Sequence, residues 1–346
     1  MKPKLLGMSL LQLQEVAADL SLPKYAAGQM ADWLYAKGIR EISGMTNLSI
    51  SARKALEERF RIGHTPYSEK FTSSDGTKKY VFPTSIEGRY IETVMIPEYE
   101  GNEGTEKSRA TICISSQVGC RMNCSFCMTG RSGYYGQLTA AEIISQFMNI
   151  DETQELTNAV FMGMGEPLDN WDEVSKALRI LTSDWGFGWS PRRITLSTIG
   201  VLPTLKNFLD DSRCHLAVSL HNPFDEERSA MMPVQRAFKI EDVISLIRRY
   251  DFTGQRRVSF EYIMFSGVND TKRHADALIK MLFGLECRIN LIRFHEIPDS
   301  SLRSSPRSRI DDFKARLNNA GIITTLRASR GEDIMAACGL LAGKER

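Results

Sequence analysis

The sequence has no apolar run approaching the roughly 20 residues that span a bilayer. Its opening, MKPKLLGMSLLQLQEV, places Gln and Glu where an export signal would need an apolar core. Both absences point to a cytoplasmic protein with no membrane partner. Net charge is nearly absent too: 44 Lys and Arg against 42 Asp and Glu leave +2. That balance excludes a general nucleic-acid coat, so any nucleic-acid contact must be a local basic patch. There is no internal repeat and no low-complexity tract. Cysteine is scarce and odd in number, with seven: Cys113, Cys120, Cys124, Cys127, Cys214, Cys287 and Cys338. An odd count in a chain without an export signal argues against a disulfide framework and leaves the thiols free for metal or chemistry. The five histidines show no metal-ligand spacing.

What is present is ample apolar material, 42% of 346 residues, enough for one large domain or two. Residues 1–65 read as a small helical domain. Ser9 caps LLQLQEVAADL, where Leu10, Leu13, Val16 and Leu20 share a face; KYAAGQMADWLYAKG ends at Gly38; SISARKALEERF follows. Residues 66–109 hold a β-hairpin, KKYVFP and RYIETVMIP around a loop closed by Gly88, and then EYEGNEGTEKS, a polar surface loop. From residue 110 to the end, the runs TICISS, AVFMGMG, RITLSTIG, HLAVSLH, RVSFEYIMF and RINLIRF alternate with helical stretches, the first opened by the capping box of Thr139 and Glu142. That alternation predicts an α/β fold with a parallel sheet and right-handed crossovers. Six such units make a partial, open (βα)6 version of the eight-unit TIM-type barrel, with its active site at the C-terminal strand ends.

At the first of those ends stands CRMNCSFC, three cysteines spaced C-x3-C-x2-C. Structural zinc sites usually take four Cys or His, often as two pairs; here one trio stands without a second pair. A 4Fe–4S cluster takes one thiolate on each iron. Cys120, Cys124 and Cys127 would leave one iron open to bind and reduce a substrate. A zinc knuckle or chance clustering is the bland reading of the same residues. The other strand ends are polar or glycine-rich: MGMGEP with Gly165 and Glu166, LSTIG with Ser197 and Thr198, SLHNP with Ser219 and His221, and Asn290 in RINLIRF. Each alone is ordinary at a strand end; their repetition on one face is the signal. His221 reads equally as a proton carrier or a structural histidine.

The cysteine spacing resembles that of the radical S-adenosylmethionine enzymes. ATICISSQVGCRMNCSFCMTG, FMGMGEPLDN, RITLSTIGVLP, VSLHNPFDEERSAMMP and GEDIMAACGLLAG together resemble the RlmN/Cfr family of radical S-adenosylmethionine RNA methyltransferases. GEP resembles the RlmN branch, which methylates adenine carbon 2 in large-subunit ribosomal RNA and beside the tRNA anticodon. The Cfr branch methylates carbon 8. The resemblance implies a 4Fe–4S cluster on Cys120, Cys124 and Cys127. It implies two S-adenosylmethionine per turnover, contacted by Gly165, Glu166, Ser197, Ser219, His221 and Asn290. It also implies a methyl-carrying Cys338, a second catalytic cysteine in Cys113, and an acid/base in Glu92. The partners implied are rRNA and tRNA and an external electron donor such as flavodoxin or ferredoxin, with the enzyme a monomer. Two stretches depart from the family pattern: EYEGNEGTEKS is longer and more acidic, and RFHEIPDSSLRSSPRSR replaces a Pro- and Gly-containing segment.

Without the resemblance these residues read blandly. Cys338 sits in an apolar stretch read as a helix, Cys113 is a strand core residue, and Glu92 lies on a hairpin surface. Cys214 and Cys287 read as structural. Candidate phosphate contacts are Arg192, Arg193, Arg248, Arg249, Arg256, Arg257, Arg303, Arg307 and Arg309, with Lys4, Lys24, Lys37, Arg40, Arg53 and Lys54 on the helical domain. Two other classes stay open on the residues themselves: a radical enzyme acting on a protein or small molecule, and a non-enzymatic metal-bearing RNA-binding module.

Overall fold

The computed structural model describes residues 2–100, 106–252, 254 and 256–343. Three helices open the chain: α1 (Leu10–Asp19), α2 (Ala26–Ala31), which runs on through a wider turn at Asp32–Ala36, and α3 (Ile50–Arg59). Ser9 caps α1 in a reciprocal box with Gln12, satisfying two orphan N–H groups. Ser49 caps α3. Leu13, Val16, Met30, Leu34 and Leu56 are buried in the same continuous apolar core as the sheet that follows.

That sheet has ten strands. The first four, β1 (Glu69–Thr72), β2 (Lys78–Pro83), β3 (Tyr90–Glu100) and β4 (Glu106–Cys113), form an antiparallel meander. A small separate ribbon of β5 (Gln117–Gly119) and β6 (Tyr134–Gln137) encloses the short helix α4 (Met128–Arg131). After α5 (Ala140–Met148) the main sheet resumes with β7 (Asn158–Phe161), α6 (Trp171–Thr182), β8 (Ile194–Thr198), α7 (Leu202–Asp211) and β9 (His215–Ser219). Then come α8 (Asp225–Met231), α9 (Ile240–Ile247), β10 (Val258–Met264), α10 (Lys272–Leu282), β11 (Arg288–Arg293), α11 (Arg307–Asn319) and β12 (Ile323–Leu326). From β4 onward neighbours pair in parallel, in the order β4-β7-β8-β9-β10-β11-β12, and β1 and β12 are the edges. The fold is the open, partial barrel expected, with a seventh parallel strand, β12, beyond the six.

Two expectations need correction. The stretch EYEGNEGTEKS is not simply a loop: β3 and β4 run into it, pairing as far as Glu100 with Glu106 after an irregularity at Glu98 and Tyr99. Ladder bonds are made by the backbone, so polar side chains do not end an antiparallel ribbon. Residues 101–105 lie outside the described residues. The segment around Cys338 is not a helix either. Gly331, Met335, Gly339 and Gly343 all have left-handed φ, at 65, 54, 87 and 57°. A right-handed helix cannot carry such residues, so only one 3-10 turn forms, at Glu332–Ile334.

Candidate active site

The cysteine loop begins at the C-terminal end of β4 and is closed by the β5–β6 ribbon, with Cys120 N–H donating to Gly133 O at 2.9 Å. Cys120, Cys124 and Cys127 line one cavity, of about 160 Å³, together with Gly165, Glu166, Ser197, Ser219 and His221. The ends of four parallel strands, β4, β7, β8 and β9, thus converge where the sheet geometry places a site. Burial pushes the Cys120 thiol up to about 12 and the Cys124 thiol well above its ordinary value, with the neighbouring thiols adding to both. Among the described residues, no three His, Cys, Asp or Glu side chains converge as ligands of a single ion. Thiolates that each bind a different iron of a cubane stand farther apart than ligands around one ion. Three thiols on one loop and in one cavity would fit the donor set of a cluster held by three protein sulfurs.

The MGMGEPLDN motif builds the cavity wall. A Cβ at Gly163 would stand 2.7 Å from Ile114 C and O, and one at Gly165, at φ 96°, 2.5 Å from Gln117 Cβ. Both positions need glycine. Gln117 accepts Glu166 N–H at 2.8 Å and donates to Asp169 at 2.6 Å. Asn170 donates to Ser116 O and Leu138 O, each at 2.8 Å. Glu166 is buried, and its carboxylate accepts from Thr198 Oγ1 at 2.6 Å, Leu168 N at 3.1 Å and Ile199 N at 3.0 Å. Those bonds fasten the end of β7 to the end of β8. They use most of the carboxylate's acceptor capacity before any ligand arrives. Burial raises its pKa to about 7, against the lowering effect of the three donors.

His221 stands at left-handed φ 56°, buried, its Nδ1 accepting Ile263 N–H at 3.1 Å and its ring edge-on to Phe126. Burial, and then the charge of Arg228, lower its pKa to about 3. That leaves the imidazole neutral at neutral pH. Asn290 does not line the cavity. It donates to Glu261 Oε1 at 2.8 Å and accepts from Thr325 at 2.9 Å. Glu261, buried and lining the cavity, is the residue it supports; only its inward alternation in RVSFEYIMF could have pointed to it.

A second cavity, of about 510 Å³, holds Cys113 and Cys338. Both are free thiols, the first buried at the end of β4 and the second exposed on the chain's last turn. Cys127, Met162, Gly163, Arg327 and Cys338 are common to both cavities. Arg327, missed from the sequence, donates to Met162 Sδ at 3.2 Å and pairs with Glu261 at 3.4 Å. Its charge acts on both cysteines. Burial, then Cys338, push the Cys113 thiol up to about 12, against Arg327.

Glu92, far from being a surface residue, is buried and lines neither cavity. Its Oε1 pairs with Lys79 at 3.0 Å and its Oε2 accepts from Ala342 N at 2.8 Å. The tail that carries Cys338 is tied down elsewhere too. Met128 N donates to Gly339 O at 2.8 Å, Thr129 Oγ1 to Leu341 O at 2.6 Å, and Gly331 N to Asp75 at 2.9 Å. Cys214 and Cys287 line neither cavity. Several arginines expected to meet phosphate are spent internally. Arg256 is buried and donates to three carbonyls, Arg193 donates to Thr157 O and Leu156 O, and Arg248 to Met281 O and Phe283 O. Arg40 likewise bonds Asn149, and Lys37 pairs with Asp32.

Residues 114–278 match the Radical SAM superfamily, and residues 3–62 match the ribosomal RNA large subunit methyltransferase N-terminal domain. A "Probable dual-specificity RNA methyltransferase RlmN" of Porphyromonas gingivalis is 55% identical over 98% of this chain and 96% of its own length. One of the same name from Parabacteroides distasonis is 54% identical over 99% of this chain and 97% of its own. A crystal structure of a radical SAM methyltransferase from Sphaerobacter thermophilus superposes with a TM-score of 0.88 at 36% identity, covering 99% of this chain and 100% of that one. With that similarity running nearly end to end, the chain belongs to the RlmN family of radical S-adenosylmethionine RNA methyltransferases.

Proposed function

We propose that this enzyme methylates carbon 2 of an adenosine in 23S rRNA, at the peptidyl transferase centre, and of the adenosine beside the anticodon in tRNA, through a methylated Cys338. The observation that carries the reading is that Cys113 and Cys338 face one cavity that shares a wall with the cavity of the cysteine trio. Carbon 2 lies between two ring nitrogens and is not nucleophilic, so direct attack on a sulfonium methyl is closed to it. Cys120, Cys124 and Cys127 would hold a cluster, which with S-adenosylmethionine would supply a carbon radical able to remove hydrogen. Gly165, Glu166, Ser197, Ser219 and His221 shape the pocket for that ligand, with Asn290 acting through Glu261.

The chain's own part is as follows. Cys338 accepts a methyl group on sulfur by displacement. After that methyl loses a hydrogen atom it adds to carbon 2, and loss of the carbon-2 proton and of one electron, which the cluster would take back, restores the ring. The Cys113 thiolate then attacks the Cys338 sulfur. The carbon–sulfur bond breaks, the carbon takes the electron pair and a proton, and a Cys113–Cys338 disulfide remains. An external donor of the flavodoxin or ferredoxin kind supplies the two electrons that reopen it. Glu92 holds the Cys338 arm through Ala342, and the acid/base role that the resemblance assigns to it is part of this reading. In this reading the enzyme is a cytoplasmic monomer. Residues 1–65 dock RNA, 66–109 form the hairpin link, and 110–346 hold the chemistry. The target base must leave its stack to reach the cavity.

Cys113→Ala tests the reading. It should purify with RNA attached to Cys338, seen as absorbance near 260 nm that survives denaturation, whereas Cys338→Ala and the double variant carry none. A denatured Cys113→Ala protein free of nucleotide, with normal methylation of rRNA, would refute it.

A further inference from the structure

Helix α8 carries Arg228, whose side chain is fully buried. Its guanidinium donates only to neutral oxygens: Nε to Leu220 O at 2.9 Å, Nη2 to Ser219 O at 2.9 Å and Ile199 O at 3.3 Å, and Nη1 to Gln235 Oε1. The adjacent Glu227 is spent on Arg273 and His274, each at 2.7 Å. Asp225 touches this group only through Gln235, and with Glu241 it acts on the guanidinium at longer range. Among the described residues, Arg228 has no ion pair. Burial lowers its pKa to about 10, which leaves it charged at neutral pH. Carbonyl dipoles solvate a cation but do not neutralise it, and buried charges are as a rule paired or placed against a metal centre.

The missing charge has a place in the fold. Ile199 and Ser219, whose carbonyls hold the guanidinium, line the cavity of the cysteine trio. Ser125 N, inside the cysteine loop, donates to Met231 O at 3.0 Å, one helical turn along α8 from Arg228. Cys124 stands within range of the arginine's charge. We propose that Arg228 is the fixed countercharge of the cysteine-bound cluster, raising its reduction potential through space while stitching the ends of β8 and β9 behind it. Reduction adds one electron, supplied by the external one-electron donor, to a thiolate-ligated group that already carries negative charge. A cation held beside it favours the reduced form, and the dry surroundings leave that attraction poorly screened. Arg228 is thus a positioning residue, acting through the cluster and not on the substrate.

The proposal rests on the reading of Cys120, Cys124 and Cys127 as cluster ligands, and the test separates the two. Wild type, Arg228→Gln and Arg228→Lys are reconstituted anaerobically. Iron content is measured, and the cluster is titrated potentiometrically with its reduced-state paramagnetic signal as readout. Arg228→Gln should hold iron and show a potential lower by about 59 mV or more, a tenfold change for a one-electron couple. Arg228→Lys keeps the charge and should stay near wild type, although it loses the forked hydrogen bonds and melts earlier. Equal potentials in wild type and Arg228→Gln overturn the proposal, as do equal shifts in the Gln and Lys variants, which would assign the effect to shape. If Arg228→Gln fails to take up a cluster, Arg228→Lys decides. A loaded cluster at wild-type potential supports the countercharge, and failure of both variants overturns it. A wild-type protein without iron would instead sink the cluster assignment itself.

Discussion

The carboxylate of Glu92 accepts the backbone N–H of Ala342 at 2.8 Å across 250 residues of chain. A strand of the N-terminal meander therefore holds the segment that presents Cys338. Glu92 and Lys79 are 3.0 Å apart, with side chains only 7% and 9% exposed, so neither charge is balanced by water. Removing one partner of a buried pair leaves the other uncompensated, at a cost of about 3–5 kcal/mol. Glu92→Ala should lose stability on that scale in denaturant unfolding and speed amide exchange at Ala342 and Gly343. Glu92→Gln keeps an acceptor for Ala342 and should lose less. Unchanged exchange at both amides in Glu92→Ala would remove the anchor.

Asp75 docks the start of the same tail and titrates in an acid window. Burial alone would raise its pKa, but the N–H groups of Gly331 and Thr77 and the Ser73 and Thr77 side chains outweigh it and hold the carboxyl at about 2, below its ordinary 3.8. A carboxyl with a lowered folded pKa stabilises the fold above its unfolded pKa and loses that contribution as pH falls through the folded one. Stability should therefore decline between pH 4 and 2 in part through Asp75. Thermal melts of Asp75→Asn across that window should be flatter than wild type and start from a less stable protein at pH 7. Parallel curves would show that Asp75 contributes nothing there.

Gly165→Ala should damage the cavity without touching a cysteine. The new Cβ would meet Gln117 Cβ at 2.5 Å on a backbone with φ 96°. Gln117 cannot yield freely, because it holds Glu166 and Asp169. A loss of about 1–3 kcal/mol is expected from the strained backbone, with weaker S-adenosylmethionine binding by equilibrium dialysis. Wild-type affinity and melting temperature would show that this wall tolerates movement.

Arg192 and Arg193 should separate. Arg193 lies over Trp189 at 4.0 Å and donates to Thr157 O and Leu156 O, so Arg193→Ala should lower stability with little change in the salt dependence of RNA binding. Arg192 is the phosphate candidate of the pair. Arg192→Ala should weaken RNA binding and reduce the slope of log affinity against log salt by about one phosphate contact. The reverse assignment in filter-binding titrations would exclude Arg192 from the footprint.

Much of this architecture is local and therefore legible in the chain. The caps at Ser9 and Thr139 and the alternation of β-branched runs with amphipathic helices operate over a few residues, and the structure keeps them. The spacing of Cys120, Cys124 and Cys127 is local in the same way, because one loop supplies all three thiols. What stayed hidden depends on partners far apart in sequence. Glu92 reads as a surface residue until the tail from Gly331 to Gly343 lies over it. Cys338 reads as helical until four left-handed residues are seen to break the segment, which then lines one cavity with Cys113. Arg256 and Arg193 read as phosphate contacts until carbonyls from other elements claim their donors. Charge and hydrogen-bond capacity are properties of a residue, but whether they face water, a carbonyl or a ligand is set by packing. Local pattern alone therefore specified the fold class and a three-cysteine loop, while long-range packing chose which polar groups are left for function.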